Sequence, residues 1–189
     1  IFTLSQSGVE GAILQMINHG VLSGALFLCV GMIYERTHTR EIAAFSGLAK
    51  VMPVFTVFFA IIALSSMGLP GLNGFVGEFL ILIGAFEWNP VYVYWSVWGI
   101  VLAAAYLLWL FQRVMFGDIK DDKIAVLSDL SIREVTTLVP LVVLAIWMGL
   151  YPTPVLDTLE PPVNAIVERV RPGYFEGSGI PTPAMPSVG

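Results

Sequence analysis

Long apolar runs separated by short charged loops make up the first 151 residues of the chain. The first of these runs, residues 11–34, contains no charged side chain. A helix of that length would measure about 36 Å, which is enough to cross the ~30 Å hydrocarbon core of a bilayer. Similar runs follow, and we predict membrane-spanning helices over about 11–34, 51–86, 91–116 and 133–151.

The run over 51–86 is too long for one straight crossing, because a continuous helix would measure about 54 Å. Proline removes a backbone hydrogen-bond donor, and glycine lowers the stability of a helix. Four such residues stand close together near the middle of the run, namely Gly68, Pro70, Gly71 and Gly74. We therefore predict that this helix is broken near Leu69–Asn73.

The distribution of Lys and Arg favours a single broken crossing over 51–86. With one crossing, seven of the nine basic residues lie on one side of the membrane and two on the other, whereas two crossings give five and four. Basic loops are retained on the cytoplasmic side, so the uneven split is favoured. The loops at 35–50 and 117–134 would then face the cytoplasm or matrix, at a bacterial plasma membrane or mitochondrial inner membrane, with the C-terminal tail outside.

Residues 152–189 form a proline-rich tail that holds eight of the twelve prolines. Within it, apolar side chains recur at spacings of three and four over about 155–170, as is typical of an amphipathic helix on a membrane surface or on a neighbour. The predicted fold is an all-α membrane protein. A transmembrane bundle over 1–151, with about four crossings, is followed by the tail and its surface helix.

Composition supports this class and excludes several others. Hydrophobic residues make up 57% of the chain and charged residues 12%, against about 25% charged in soluble domains. The net charge of −5 argues against a nucleic-acid partner, so lipid and protein partners are expected. Cys29 is the single cysteine, which excludes an internal disulfide and a multi-cysteine metal site. The sequence contains no phosphate-binding, dinucleotide-binding or nucleophile-elbow motif.

Glu78 is the one charged residue within 51–86 and follows the predicted break by about five residues. A charge at bilayer depth costs ~2.5–3.5 kcal/mol even on lenient insertion scales, so such a residue is normally paired, neutral or functional. A carboxyl that exchanges a proton near ambient pH is the functional interpretation. The alternative is a protonated Glu78 that only hydrogen-bonds a neighbouring helix.

His19 is the second candidate for proton transfer, near the middle of the first span. Gln15, His19 and Ser23 stand four residues apart and share a helix face, which Asn18 flanks. A polar stripe in a charge-free span suits a hydrogen-bonded water path, and histidine can pass protons near neutral pH. The alternative is interhelical hydrogen bonding without transport.

Three motifs closely resemble one family. They are residues 11–20 (GAILQMINHG), residues 31–42 (GMIYERTHTREI) and residues 68–79 (GLPGLNGFVGEF). In this order they resemble the chain M (subunit 4) family, the antiporter-like membrane subunits of the proton-pumping NADH–quinone oxidoreductase, respiratory complex I. The likeness is close over about 8–117 and looser beyond.

The resemblance implies that this chain is the C-terminal part of such a subunit and holds the second of its two broken helices. Glu78 would then be the acidic residue of the broken helix, facing an outlet half-channel, and His19 would lie on the central hydrophilic axis. Sister subunits carry lysine where Glu78 stands. The family's buried lysines would precede this chain, and other membrane-arm subunits, including neighbouring antiporter-like ones, would be its partners.

The resemblance also implies that this chain holds no cofactor, since NADH, flavin, iron–sulfur clusters and quinone belong to other subunits of that complex. The expected function is proton translocation coupled to quinone reduction elsewhere in the complex. Two alternatives stay open: a subunit of an Mrp-type sodium/proton antiporter or membrane-bound hydrogenase, and a structural subunit whose polar residues only join helices.

Overall fold

The computed structural model describes residues 3–119 and 121–176, and all regular structure in these ranges is helical. This confirms the all-α prediction. In chain order the α-helices are α1 (Gln6–Thr37), α2 (Leu48–Val51), α3 (Pro53–Ser66), α4 (Asn73–Trp88), α5 (Pro90–Met115), α6 (Asp122–Ala125), α7 (Ile132–Leu150) and α8 (Thr153–Val170).

Three of these helices, α1, α5 and α7, are long and apolar enough to cross a membrane. Helix α3 is apolar but shorter, and α4 continues after it. Most of the α5 surface is exposed, and Met115 is its one buried residue. An apolar helix without an internal partner needs an apolar environment, so α5 fits a position facing lipid or another membrane helix.

Helices α3 and α4 are the two halves of one interrupted helix. The first half ends at Ser66 and the second begins at Asn73, which confirms the predicted break. Phe55 and Phe59 of α3 lie near Cys29 in the C-terminal part of α1, since all three line one cavity. Further along, Asn73 bonds Asn18, and Gly84 lies against Gly8. The halves therefore run in one direction, antiparallel to α1, rather than forming a hairpin.

The main core lies between α1, α2, α3, α7 and the end of α5, around Cys29, Leu48, Met52, Phe55 and Leu138. This core lies in the half of the bundle that contains α3. An apolar cavity of about 300 Å³ opens in this half and shares no lining residue with the break.

Helix α8 begins two residues before the predicted start and packs on the N-terminal part of α1. Val163 and Val167 are buried with Val9 and Phe175, which confirms that the apolar face is used. Ile166 and Val170 on the same helix remain 49% and 52% exposed. Contact with the membrane surface stays a prediction, and residues 177–189 of the predicted tail lie outside the described ranges.

Candidate functional site at the helix break

The break is built from a glycine-terminated helix end followed by a proline. The Leu69 N–H donates to the Leu64 carbonyl and the Gly68 N–H donates to the Ser65 carbonyl, both at 3.1 Å. This pair of bonds is the Schellman motif, which places a left-handed residue just after the helix. Gly68 takes that position with φ +74°, and Pro70 then prevents the helix from continuing.

Glu78 points back toward this turn. The residue is half-buried, and a Cβ placed on Gly68 would lie 2.5 Å from Glu78 Oε2. Within the described ranges, no side chain or backbone group donates a hydrogen bond to the Glu78 carboxyl and no basic side chain pairs with it. Glu78 therefore combines partial burial with a carboxyl that has no fixed counter-charge.

Asn18 joins α1 to the first residue of α4. Its amide Nδ2 donates to the Asn73 carbonyl oxygen at 2.7 Å, and the Asn73 amide donates to Asn18 Oδ1 at 2.9 Å. The Ser65 hydroxyl donates to Asn73 Oδ1 at 2.6 Å and so connects the end of α3. Asn18, Ser65 and Asn73 are each 0% exposed. We call these three residues the break network.

Gln15 of α1 packs against Gly77 of α4. A Cβ on Gly77 would displace the end of the Gln15 side chain and lie 3.2 Å from Gln15 Cα, so glycine favours this close packing. Gln15 Oε1 also accepts a weak bond from the Asn18 amide at 3.4 Å. Because Gly77 directly precedes Glu78, Gln15 and Asn18 lie beside the α4 turn that carries Glu78.

His19 lies apart from this group. The residue is exposed, and a ring nitrogen lies 3.2 Å from the Ser23 hydroxyl. Within the described part of the chain, Ser23 is the side-chain hydrogen-bond partner of His19. Ser23 is half-buried on the next turn of α1. The structure thus brings together Gln15 and Asn18 of the predicted stripe near Glu78, and it places His19 and Ser23 as a separate pair.

The C-terminal end of α7 closes another side of the break. A Cβ on Gly149 would meet the backbone of Leu72 and Gly71, so α7 packs directly on the residues that link the two half-helices. The break therefore lies between α1 and α7 as well as between its own two halves, while Leu69 and Pro70 in the turn are exposed. Irregular backbone at membrane depth must be surrounded by protein or water, and α1 and α7 supply part of that surrounding protein.

Asn73 and Ser65 were not predicted as site residues from the sequence. A signal for both was present, since each is a polar residue flanking the predicted break. Freed backbone groups at membrane depth need hydrogen-bond partners, and polar side chains close to the break in the chain are candidates for this role. In the described ranges, no group of three His, Cys, Asp or Glu side chains could hold a metal ion.

Comparisons with known proteins support the resemblance carried by the three motifs. The sequence profile of a family described as NADH:quinone oxidoreductase/Mrp antiporter, transmembrane, matches residues 1–105. The NADH-quinone oxidoreductase subunit M of Rhodobacter capsulatus is 46% identical over 169 residues, which cover 89% of this chain and 33% of that protein. The NADH-ubiquinone oxidoreductase chain 4 of Marchantia polymorpha is 45% identical over 169 residues, covering 89% and 34%.

The fold is also similar to a solved structure, respiratory complex I from Thermus thermophilus with bound NADH. One of its chains matches with a TM-score of 0.83 and 32% identity, covering 89% of this chain and 35% of that one. This chain therefore spans about a third of the length of the relatives that it matches.

Proposed function

Because the chain belongs to the NADH:quinone oxidoreductase/Mrp antiporter transmembrane family, we propose that it forms part of a proton-translocating membrane-arm subunit of an NADH:quinone oxidoreductase. The observation that carries the proposal is the position of Glu78. Its carboxyl is half-buried beside the turn of a broken helix, next to Gly68, with no basic partner among the described residues.

In the proposed mechanism Glu78 takes up a proton from the interior of the bundle and releases it toward the outer side. A carboxyl with no fixed counter-charge is sensitive to hydration and to charges that neighbours bring near it. Redox energy released elsewhere in the complex can therefore act on Glu78 through such changes. The chain itself binds neither NADH nor quinone in this mechanism, and the flavin and iron–sulfur clusters belong to other subunits.

His19 supplies protons to Glu78 through bridging water. The two residues are not hydrogen-bonded to each other in the described structure, so this step needs water between them. Gln15 and Ser23 are partly exposed polar groups on α1 that could order such water, and Asn18 supports Gln15 through its 3.4 Å bond. Histidine is suited to this role because its ring gains and loses a proton near neutral pH.

The proposal includes partners and an orientation. Other membrane-arm subunits, including neighbouring antiporter-like ones, would contact the exposed apolar helices, and lipid would contact the rest. The similar Thermus thermophilus chain is part of respiratory complex I, which supports this choice of partners. The basic loops at 35–50 and 117–134 would face the cytoplasm or matrix, with the C-terminal tail on the outer side.

Replacement of Glu78 in the assembled complex tests the proposal. We expect Glu78→Gln to lower the ratio of protons translocated to electrons transferred, and Glu78→Asp to retain part of it. Glu87→Gln is the matched control, because Glu87 lies on the same helix but is exposed near its end. A Glu78→Gln complex that assembles and pumps at the normal ratio would refute the relay role.

The family description also covers Mrp antiporters, which makes sodium/proton exchange the second candidate. Purification of the native assembly separates the two. Flavin and iron–sulfur subunits that copurify with the chain support the redox complex, whereas an assembly without flavin supports the antiporter.

A further inference from the structure

We propose that Asn18, Asn73 and Ser65, the break network, are positioning residues that hold α4 where the Glu78 carboxyl meets Gly68. This inference rests on the proposed function of Glu78. It assigns to these three residues control over the site rather than contact with the proton.

The network anchors the start of α4, which has no side-chain cap. Leu72, the residue before the helix, cannot cap it with its apolar side chain. Instead the polar groups of Asn73 are taken up by α1 and α3, through bonds of 2.6–2.9 Å. The start of α4 is therefore fixed by two other helices rather than by its own cap.

Burial makes these bonds difficult to replace. Because all three residues are fully buried, loss of Ser65 or Asn18 leaves one side-chain atom of Asn73 without a hydrogen bond and without water to replace it. An unsatisfied buried polar group is costly enough to favour a shifted arrangement of the half-helix. The network is thus sensitive to a single substitution.

The network is also connected to Glu78 through both half-helices. Asn73 and Glu78 are five residues apart on one helix, which is about 7.5 Å along its axis. Ser65 and Gly68 are three residues apart in the turn that ends α3. The Ser65–Asn73 bond therefore sets the spacing between the same two segments that meet again at Glu78 and Gly68.

Two neighbouring serines provide the test. Ser65→Ala removes the bond to Asn73, whereas Ser66→Ala removes only a bond from Ser66 to the carbonyl of Ile62 in its own helix. Each variant is made in the complete complex in its native membrane. The measurements are the amount of assembled complex, the rate of NADH-driven proton translocation per complex, and the infrared carboxyl band of Glu78, which is assigned by its loss in Glu78→Gln.

We expect Ser65→Ala to assemble, to lower proton translocation per complex about tenfold, and to shift the Glu78 band, because small displacements of a reacting group have large effects on rate. Ser66→Ala should change none of these. Ser65→Thr, which keeps the hydroxyl, should restore both the rate and the band. Asn18→Ala removes a different part of the network and should shift the same band.

Several results would overturn the inference. One is an unshifted Glu78 band in both Ser65→Ala and Asn18→Ala. Another is a band that shifts as much in Ser66→Ala as in Ser65→Ala. A third is failure of Ser65→Ala and Asn18→Ala to assemble, because that result indicates a structural role alone. Failure of the proposed function gives a different result, namely normal proton translocation in Glu78→Gln whatever the network variants do.

Discussion

Gly68 is subject to two separate constraints. Its φ of +74° lies in the left-handed region, which is unfavourable for residues with a Cβ. Its Cα also faces the Glu78 carboxyl so closely that a Cβ would lie 2.5 Å from Oε2. Gly71 shares the first constraint, with φ +93°, but not the second, because the nearest atom to its Cβ would be Leu150 Cδ2 at 3.9 Å.

Alanine substitutions at Gly68 and Gly71 separate the effect of backbone strain from the effect of displacing the Glu78 carboxyl. Gly68→Ala and Gly71→Ala should each cost about 1 kcal/mol for placing alanine in the left-handed region. Only Gly68→Ala should also move Glu78 and reduce proton translocation per assembled complex toward the level of Glu78→Gln. The measurement is proton translocation normalised to the amount of complex, and equal losses in the two variants would contradict the prediction.

The sequence identifies a site residue when the evidence for it lies in the neighbouring residues of the chain. Glu78 is conspicuous as a single charge in an apolar run, and Gly68, Pro70, Gly71 and Gly74 mark the break by their clustering. The partnership of Asn18 with Asn73 is not local, because 55 residues separate them and side-chain orientation decides the contact. The exposure of His19 has the same cause, since helical spacing assigns a face but not the helix that covers it.

Helix α3 depends on a residue from a distant loop for its N-terminal cap. Met52, which precedes the helix, offers no side-chain acceptor. The carboxylate of Asp129 accepts from the Val54 N–H at 2.8 Å and from the Phe55 N–H at 3.1 Å. These are two of the N–H groups that a helix start leaves without partners, and a negative charge is favourable at this end.

Asp129→Ala should therefore destabilise the start of α3 by about 1 kcal/mol. The control is Asp121→Ala, because among the described residues the Asp121 carboxylate accepts only from the Lys123 N–H, at the start of the four-residue helix α6. We expect the temperature at which half of the purified complex is lost to fall for Asp129→Ala and to change little for Asp121→Ala. A larger effect of Asp121→Ala would show that the loop, not the cap, determines stability.

Element positions were largely predictable, and the deviations have physical causes. The break was expected near Leu69–Asn73, but α3 already ends at Ser66 because the Schellman motif needs Gly68 beyond the helix end. The apolar pattern of α8 predicted an amphipathic helix. It could not identify α1 as the surface that covers Val163 and Val167, because periodicity shows which face is buried but not by what.

At the scale of the whole molecule, one arginine joins the loop ends of several helices. Arg36, at the end of α1, makes a two-pronged ion pair with Glu134 at the start of α7, at 2.6 and 2.8 Å. Its remaining N–H groups donate to the carbonyls of Met32, Ser128 and Asp129. All five donors are thus used, which a lysine could not reproduce. The same loop presents the Asp129 carboxylate to α3.

A second ion pair in the same region lies in a very different environment. Lys50 and Asp118 are 3.0 Å apart, but their side chains are 56% and 99% exposed, against 15% and 13% for Arg36 and Glu134. The Lys50 ammonium holds the pKa of the Asp118 carboxyl below its usual range. Any stabilisation from this lowered pKa is present at neutral pH and is lost as the pH falls through the folded-state value. Full exposure keeps the contribution small.

Substitution of one acid in each pair should therefore have unequal effects on assembly. Glu134→Gln leaves the largely buried Arg36 without its counter-charge, and breaking such a pair costs about 3 kcal/mol. Asp118→Asn removes an exposed charge that water and salt replace. We expect less assembled complex and earlier thermal loss for Glu134→Gln, with normal values for Asp118→Asn at neutral pH. Equal behaviour of the two variants would mean that Arg36 is held by its backbone carbonyl partners, and the ion pair would then have no part in closing the bundle.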